Sequence, residues 1–177
     1  MPPPSDRAYL ADAYRQALDS PDPSTQNGAV LVFDRWVIGN GCNRFPTGVD
    51  NTEERWNDRT LKYQFVIHAE MAAIVNAGRY GNATGGAKLV VPWFACDRCA
   101  VAIIEAGIVE VVGHRDVMEF AKAHNPRWED SIATAMIMFE EAGVKVTWLE
   151  GPVEGVSPIR IAEKSFNPCV SLADQVG

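Results

Sequence analysis

The sequence predicts an α/β layered fold in which an antiparallel hairpin opens a sheet that parallel strands and crossover helices continue. Three observations carry this. Beyond residue 65 the hydrophobic pattern runs helix, strand, helix, strand, helix, strand, the alternation of a sheet with crossover helices. Before it, two β-rich runs stand on either side of Asp34-Arg35, close enough to form a hairpin. The chain has 177 residues, 47% apolar and 22% charged, enough to bury a sizeable core and within the length of one domain.

Taken in order, residues 6–20 are expected to form a first helix. Ser5 or Asp6 caps it, Tyr9, Leu10, Ala13, Ala17 and Leu18 recur at helical spacing, and Pro21 and Pro23 end it. Residues 28–33 and 36–41 are the hairpin strands. The polar segment 49–59 has no clear periodicity and reads as a loop or lid anchored by Trp56. Residues 66–76 return to a helical pattern, with His68 and Glu70 in or near the first turn, and the Gly- and Asn-rich stretch 78–86 follows as a loop. Residues 87–92 form a short strand, 96–106 a helix stopped at Gly107, and 108–113 another strand. After an irregular segment through His124, Asn125 and Pro126, residues 128–142 are helical up to Gly143, and 144–149 make a last strand. The tail from Gly151 is weakly patterned, and either packs over the core or forms an oligomer contact.

Composition removes several classes of function. A formal net charge of -7 with no cluster of Lys and Arg argues against a nucleic-acid partner, which draws much of its affinity from basic side chains. The N-terminal Met-Pro-Pro-Pro-Ser-Asp lacks the basic and apolar regions of a signal peptide, and no run is long enough to span a bilayer. The expectation is a soluble, cytoplasmic protein with no membrane partner. In that setting a Cys-x-x-Cys binds metal or does redox chemistry, whereas Cys42 and Cys169 are small buried or incidental thiols.

The chemistry concentrates in His68-Ala69-Glu70 and Cys96-Asp97-Arg98-Cys99. Cys96 and Cys99, three apart, put both sulfurs on one face of a helix start, where the helix dipole favours thiolates. One imidazole and two thiolates leave zinc an open fourth position for water, which distinguishes a catalytic site from a closed structural one. His68 and Glu70, two apart, diverge by about 200° around a helix. Their roles therefore differ: His68 binds the metal, and Glu70 leans in beside the water as a proton carrier. His114 and His124 have no ligand-spaced partner. Cys96 and Cys99 taken alone would fit a zinc knuckle or a redox pair equally well.

These motifs resemble the cytidine and deoxycytidylate deaminase superfamily, whose zinc signature is a documented pattern. The likeness to the deoxycytidylate branch extends to Ser24-Thr25-Gln26-Asn27-Gly28-Ala29-Val30, Asn43-Arg44-Phe45-Pro46-Thr47-Gly48, Ala106-Gly107-Ile108 and Glu141-Ala142-Gly143-Val144, over roughly residues 6–150. The resemblance implies a three-layer α/β/α fold with a mixed, roughly five-stranded sheet. It divides the chain into a zinc-dependent deaminase domain at 1–150 and a C-terminal tail at 151–177.

The resemblance further implies a hydrolase with one Zn2+ per chain, held by His68, Cys96 and Cys99. Glu70 moves protons while water replaces the amine at C4 of cytosine. The implied reaction is dCMP to dUMP with release of ammonia; the alternative is deamination of a free nucleoside, base or other amino-heterocycle. The backbone at Ala69 and Cys96 positions the ring, and Asn43 either contacts the sugar or serves as an Asx-turn residue. Ala95 stands where the family usually has Pro, Pro92 where it has Ser or Thr, and Ala72 where it has Asn. Those departures shift ring recognition toward stacking on Trp93 and Phe94, for which core packing at a strand end is the other reading. Arg44, Lys62, Arg115 and Arg127 are unranked candidates for a 5′-phosphate. A homo-oligomer is expected by the same likeness.

Overall fold

In the computed structural model, which describes residues 4–175, five strands form one sheet in the spatial order 36–42, 28–33, 88–91, 110–114, 145–149. The first residues of the N-terminal reading, 1–3, lie outside that range. β1 (Gly28–Phe33) and β2 (Trp36–Cys42) form the expected hairpin, with Asp34 and Arg35 at φ 46° and 72° in its turn. β1 also pairs antiparallel with β3 (Lys88–Val91), which leads in parallel to β4 (Glu110–His114) and β5 (Lys145–Leu149). The sheet is therefore mixed, as expected.

Alternation along the strands sends side chains to two cores. On one face Ala29, Leu31, Leu89, Val91 and Val111 pack against α4 (Ala69–Arg79), α5 (Asp97–Glu105) and α7 (Glu129–Ala142). On the other, Val30, Val32, Val90 and Val112 meet α1 (Asp6–Ala17) and α6 (Arg115–His124). The result is the three-layer arrangement. Full burial of each of Leu31, Leu89, Ile103 and Phe139 is worth about 1.5–3 kcal/mol.

α1 is capped by Ser5, whose hydroxyl accepts from the Ala8 amide, and it ends at Ala17, short of residue 20. Two expectations are corrected. The segment 49–59 read as loop contains α2 (Glu53–Asn57) and, at its last residue, the start of α3 (Arg59–Phe65), the two helices being capped by the side chains of Thr52 and Asp58. Trp56 does anchor it: the indole is buried and stacks on Phe45 with centroids 4.0 Å apart. The segment read as irregular before Asn125 is the helix α6, which buries only Val117, Phe120 and Ala121 between charged neighbours.

Beyond the sheet, β6 (Ile159–Ile161) and β7 (Lys164–Phe166) make a second hairpin, with Ala162 and Glu163 at positive φ in its turn. Val153, Ile159, Ile161 and Phe166 bury their side chains against Tyr14, Phe120 and Val112. The same hairpin bonds the entry to β1, through Gln26 N to Arg160 O (2.8 Å) and Glu163 N to Ser24 O (2.7 Å).

Candidate active site

The N-termini of α4 and α5 converge beside the C-terminal end of β3. His68 is the N-cap of α4 and Cys96 the N-cap of α5, and neither side chain caps its helix by hydrogen bonding. Both are left free for another use. Glu70 and Cys99 follow in the first turns of the same helices.

His68 Nδ1 lies 3.4 Å from the Sγ of Cys96 and 3.4 Å from that of Cys99. The three donor atoms all fall within 4.8 Å of one another, so the group could hold a metal ion. A tetrahedral zinc with ordinary Zn–N and Zn–S bonds needs an N···S edge of about 3.6 Å, and the observed separations match it. The donor chemistry fits as well. Without metal, the Cys96 thiol is pushed down to about 4, first by its hydrogen bond with Cys99 and then by His68. Cys99 is raised by the same bond with Cys96 and by burial. The site therefore already carries thiolate charge, where two helix dipoles favour it.

Glu70 is 3% exposed and adjoins this group. Burial pushes its carboxyl up to about 7, against the opposing pull of His68. A carboxyl poised near neutrality can both accept and return a proton.

His68, Glu70, Cys96, Asn43, Ala69, Trp93 and Phe94 line one cavity. Asn43 is held on both sides of its amide: Oδ1 accepts from the Asn27 amide (2.8 Å), and Nδ2 donates to Asp22 Oδ2 (3.1 Å) and Thr25 O (2.8 Å). Trp93 is gripped through its main chain, its N–H donating to Asn27 Oδ1 at 3.1 Å and its carbonyl accepting from Asn27 Nδ2 at 2.8 Å. Phe94 packs on Trp148 (centroids 4.6 Å) and Phe139 (5.9 Å), so much of its ring belongs to the core. Ala72, Pro92 and Ala95 do not line the cavity, and Ala72 lies against Gly41 under the helix.

Sequence reasoning missed part of the wall. Trp128 stands edge-on to Tyr63 (5.8 Å), His68 (5.9 Å) and Trp93 (6.1 Å). Asp22 and Lys62 form a buried ion pair at 2.8 Å in the same wall. Pro21 and Pro23 mark the end of a helix in the sequence, but nothing local ties the Asp22 between them to a lysine forty residues on. His114 lies on the opposite face of the sheet against Tyr14 Oη and Gly151 O, and His124 bonds Phe120 O. Neither joins the zinc group.

A family model described as the cytidine and deoxycytidylate deaminase zinc-binding region matches residues 3–115. An uncharacterized deaminase in the luxG 3′ region of Aliivibrio fischeri is 37% identical over 130 residues, covering 73% of this chain and 83% of that one. The deoxycytidylate deaminase of Homo sapiens is 34% identical over 142 residues, covering 77% and 74%. Among solved structures, the dCMP deaminase of cyanophage S-TIM5 in complex with dCMP and dUMP superposes with a TM-score of 0.60 at 22% identity. That match covers 84% of this chain and 99% of the other and shows the shared fold.

Proposed function

The chain belongs to the cytidine and deoxycytidylate deaminase family of zinc-dependent hydrolases, and on that premise we propose that it converts dCMP to dUMP with release of ammonia. The observation that carries the reading is the His68, Cys96 and Cys99 group with buried Glu70 beside it in an aromatic-walled cavity. The likeness to deoxycytidylate deaminases across most of the chain supports the substrate.

In this reading His68, Cys96 and Cys99 hold zinc, one per chain. Zinc bound there supplies a Lewis acid that makes water a usable nucleophile near neutral pH. Glu70 takes one proton from the attacking water and gives it to the ring nitrogen, then takes the second proton from the oxygen now on C4 and gives it to the exocyclic amine, which leaves as ammonia. As the C4–N bond breaks, a C4–O bond replaces it, so water and dCMP become dUMP and ammonia. The backbone at Ala69 and Cys96 and the rings of Trp93 and Trp128 orient the base, while Phe94 backs the wall. Asn43, with its amide occupied, keeps the 22–27 segment in place under the sugar.

We also take residues 1–150 as the deaminase domain and 151–177 as its packing tail. A cytoplasmic location suits thiolates that must stay reduced, and no described helix is long and apolar enough to cross a membrane. Exposed Met71, Val75, Val101 and Ile137 on adjacent helices α4, α5 and α7 support self-association, which light scattering on the purified protein tests.

A substrate panel of cytidine, deoxycytidine, their mono- and triphosphates and guanine, read by ultraviolet change and ammonia, tests the function. Turnover greatest on dCMP is expected. Activity confined to unphosphorylated compounds would replace the nucleotide reading with a nucleoside one.

A further inference from the structure

We propose that Arg127, at the rim of the zinc cavity and steadied by Tyr63, reads the 5′-phosphate and sets the preference for nucleotide over nucleoside. The inference rests on the deaminase reading above. Of the four cations the sequence offers for this task, the structure removes three. Arg115 pairs with Glu150 at 3.0 Å, lies over the Trp148 ring, and is not in the cavity wall. Arg44 donates to Phe45 O and lines a separate open groove. Lys62 does line the cavity, but its ammonium sits 2.8 Å from each carboxylate oxygen of Asp22. A phosphate brought to that ammonium would also face the buried Asp22 carboxylate, and like charges at contact in a desolvated wall are costly.

Arg127 is different. Among the described residues it makes no ion pair, and besides Lys62 it is the only Lys or Arg lining the cavity. Its Nη2 donates to Tyr63 Oη at 2.6 Å, and its guanidinium lies over the rings of Tyr63 (5.6 Å) and Trp128 (5.9 Å). These contacts fix the plane of the guanidinium while consuming one of its five N–H donors. The remaining donors form a fork of the kind that takes two phosphate oxygens at once.

Location supports the assignment. Arg127 and Trp128 sit on one short 3-10 turn, Pro126–Trp128, and Trp128 meets His68 and Trp93 deep in the cavity. A single element thus sets the distance between the ring wall and the anion-reading group. Tyr63, one residue after Lys62 on α3, is a positioning residue for the guanidinium.

The test compares Arg127→Gln and Arg127→Lys with wild type, zinc-loaded, on dCMP and deoxycytidine. Losing a hydrogen bond to a charged group, Arg127→Gln should lower the dCMP-to-deoxycytidine ratio of kcat/KM on the order of 10- to 100-fold, mainly through KM for dCMP. Arg127→Lys, which keeps the charge and loses the fork, should restore part of that ratio. Tyr63→Phe should erode it in the same direction by less. An unchanged ratio, whether both substrates lose equally or neither loses, would overturn the proposal. Calorimetry of dUMP and deoxyuridine supplies a readout free of turnover. If wild type releases no ammonia yet Arg127→Gln selectively loses dUMP, deamination fails and phosphate reading stands. If dUMP binding is indifferent to Arg127, the phosphate proposal fails whatever the turnover.

Discussion

At the scale of single residues, Glu70 ties chemistry to stability. Its carboxyl is buried and raised from 4.5 to about 7, so the folded, metal-free protein holds it protonated where an unfolded chain would have ionised it. For a carboxyl raised in this way, the contribution to stability is complete below about pH 4.5 and is lost as the pH climbs through about 7. Glutamine in its place does not titrate. Metal-free Glu70→Gln is therefore expected to be more stable than metal-free wild type at pH 8, by roughly 3 kcal/mol, and nearly equal to it at pH 4.5. Urea unfolding at the two pH values measures the difference; a gap independent of pH would contradict the burial account. The grouping of His68, Glu70, Cys96 and Cys99 was legible from sequence because the spacing within each pair is local: His68 and Glu70, like Cys96 and Cys99, share one helix start. Asp22, Lys62, Tyr63 and Trp128 were not legible as a wall, because only the tertiary fold brings them together.

At the scale of elements, α4 carries His68 and Glu70, and its seat on the hairpin decides where they point. Gly39 and Gly41 of β2 let the helix approach. A Cβ on Gly41 would stand 2.6 Å from the Ala72 Cβ and 2.9 Å from the helix backbone. This gives Ala72 a packing reason that outweighs any pocket role. Gly41→Ala is expected to destabilise by about 1–3 kcal/mol through overpacking, and to weaken zinc retention as α4 shifts. Gly78→Ala, on the same helix with nothing within 4 Å of the new methyl, should instead stabilise by about 0.5–1 kcal/mol. Thermal unfolding with zinc analysis of both variants checks the contrast; equal effects would sink it. Periodicity located α4, α5 and α7 because each buries an apolar stripe on the sheet. It missed α6, which buries few residues among many charges, and α2 and α3, which are short and depend on caps at Thr52 and Asp58.

At the scale of the whole molecule, the last segment both covers a core and braces the cavity wall. Phe166 is fully buried, stacked on Tyr14 at 6.5 Å and edge-on to Phe120 at 5.2 Å. Above it, His114 links the layers: its Nδ1 is 2.6 Å from Tyr14 Oη, and its Nε2 is 3.0 Å from Gly151 O. Burial lowers the His114 pKa, so the ring is neutral, accepting from the tyrosine and donating to the carbonyl. Phe166→Ala is expected to cost about 3–5 kcal/mol, read as a fall in Tm, and a Tm unchanged from wild type would show the tail to be dispensable cover. The sequence left this tail undecided because its two strands are three residues each, too short for periodicity to register.

Turnover by the whole chain is the most direct check on the zinc assignment and on Glu70. Zinc content and ammonia release from dCMP, measured together on wild type and Glu70→Ala, should show one zinc per chain in both proteins. Only wild type should give stoichiometric dUMP and ammonia, with turnover by the variant lower by on the order of 100- to 10,000-fold. A Glu70→Ala protein as active as wild type, or a zinc-loaded wild type that releases no ammonia from dCMP, would contradict the account.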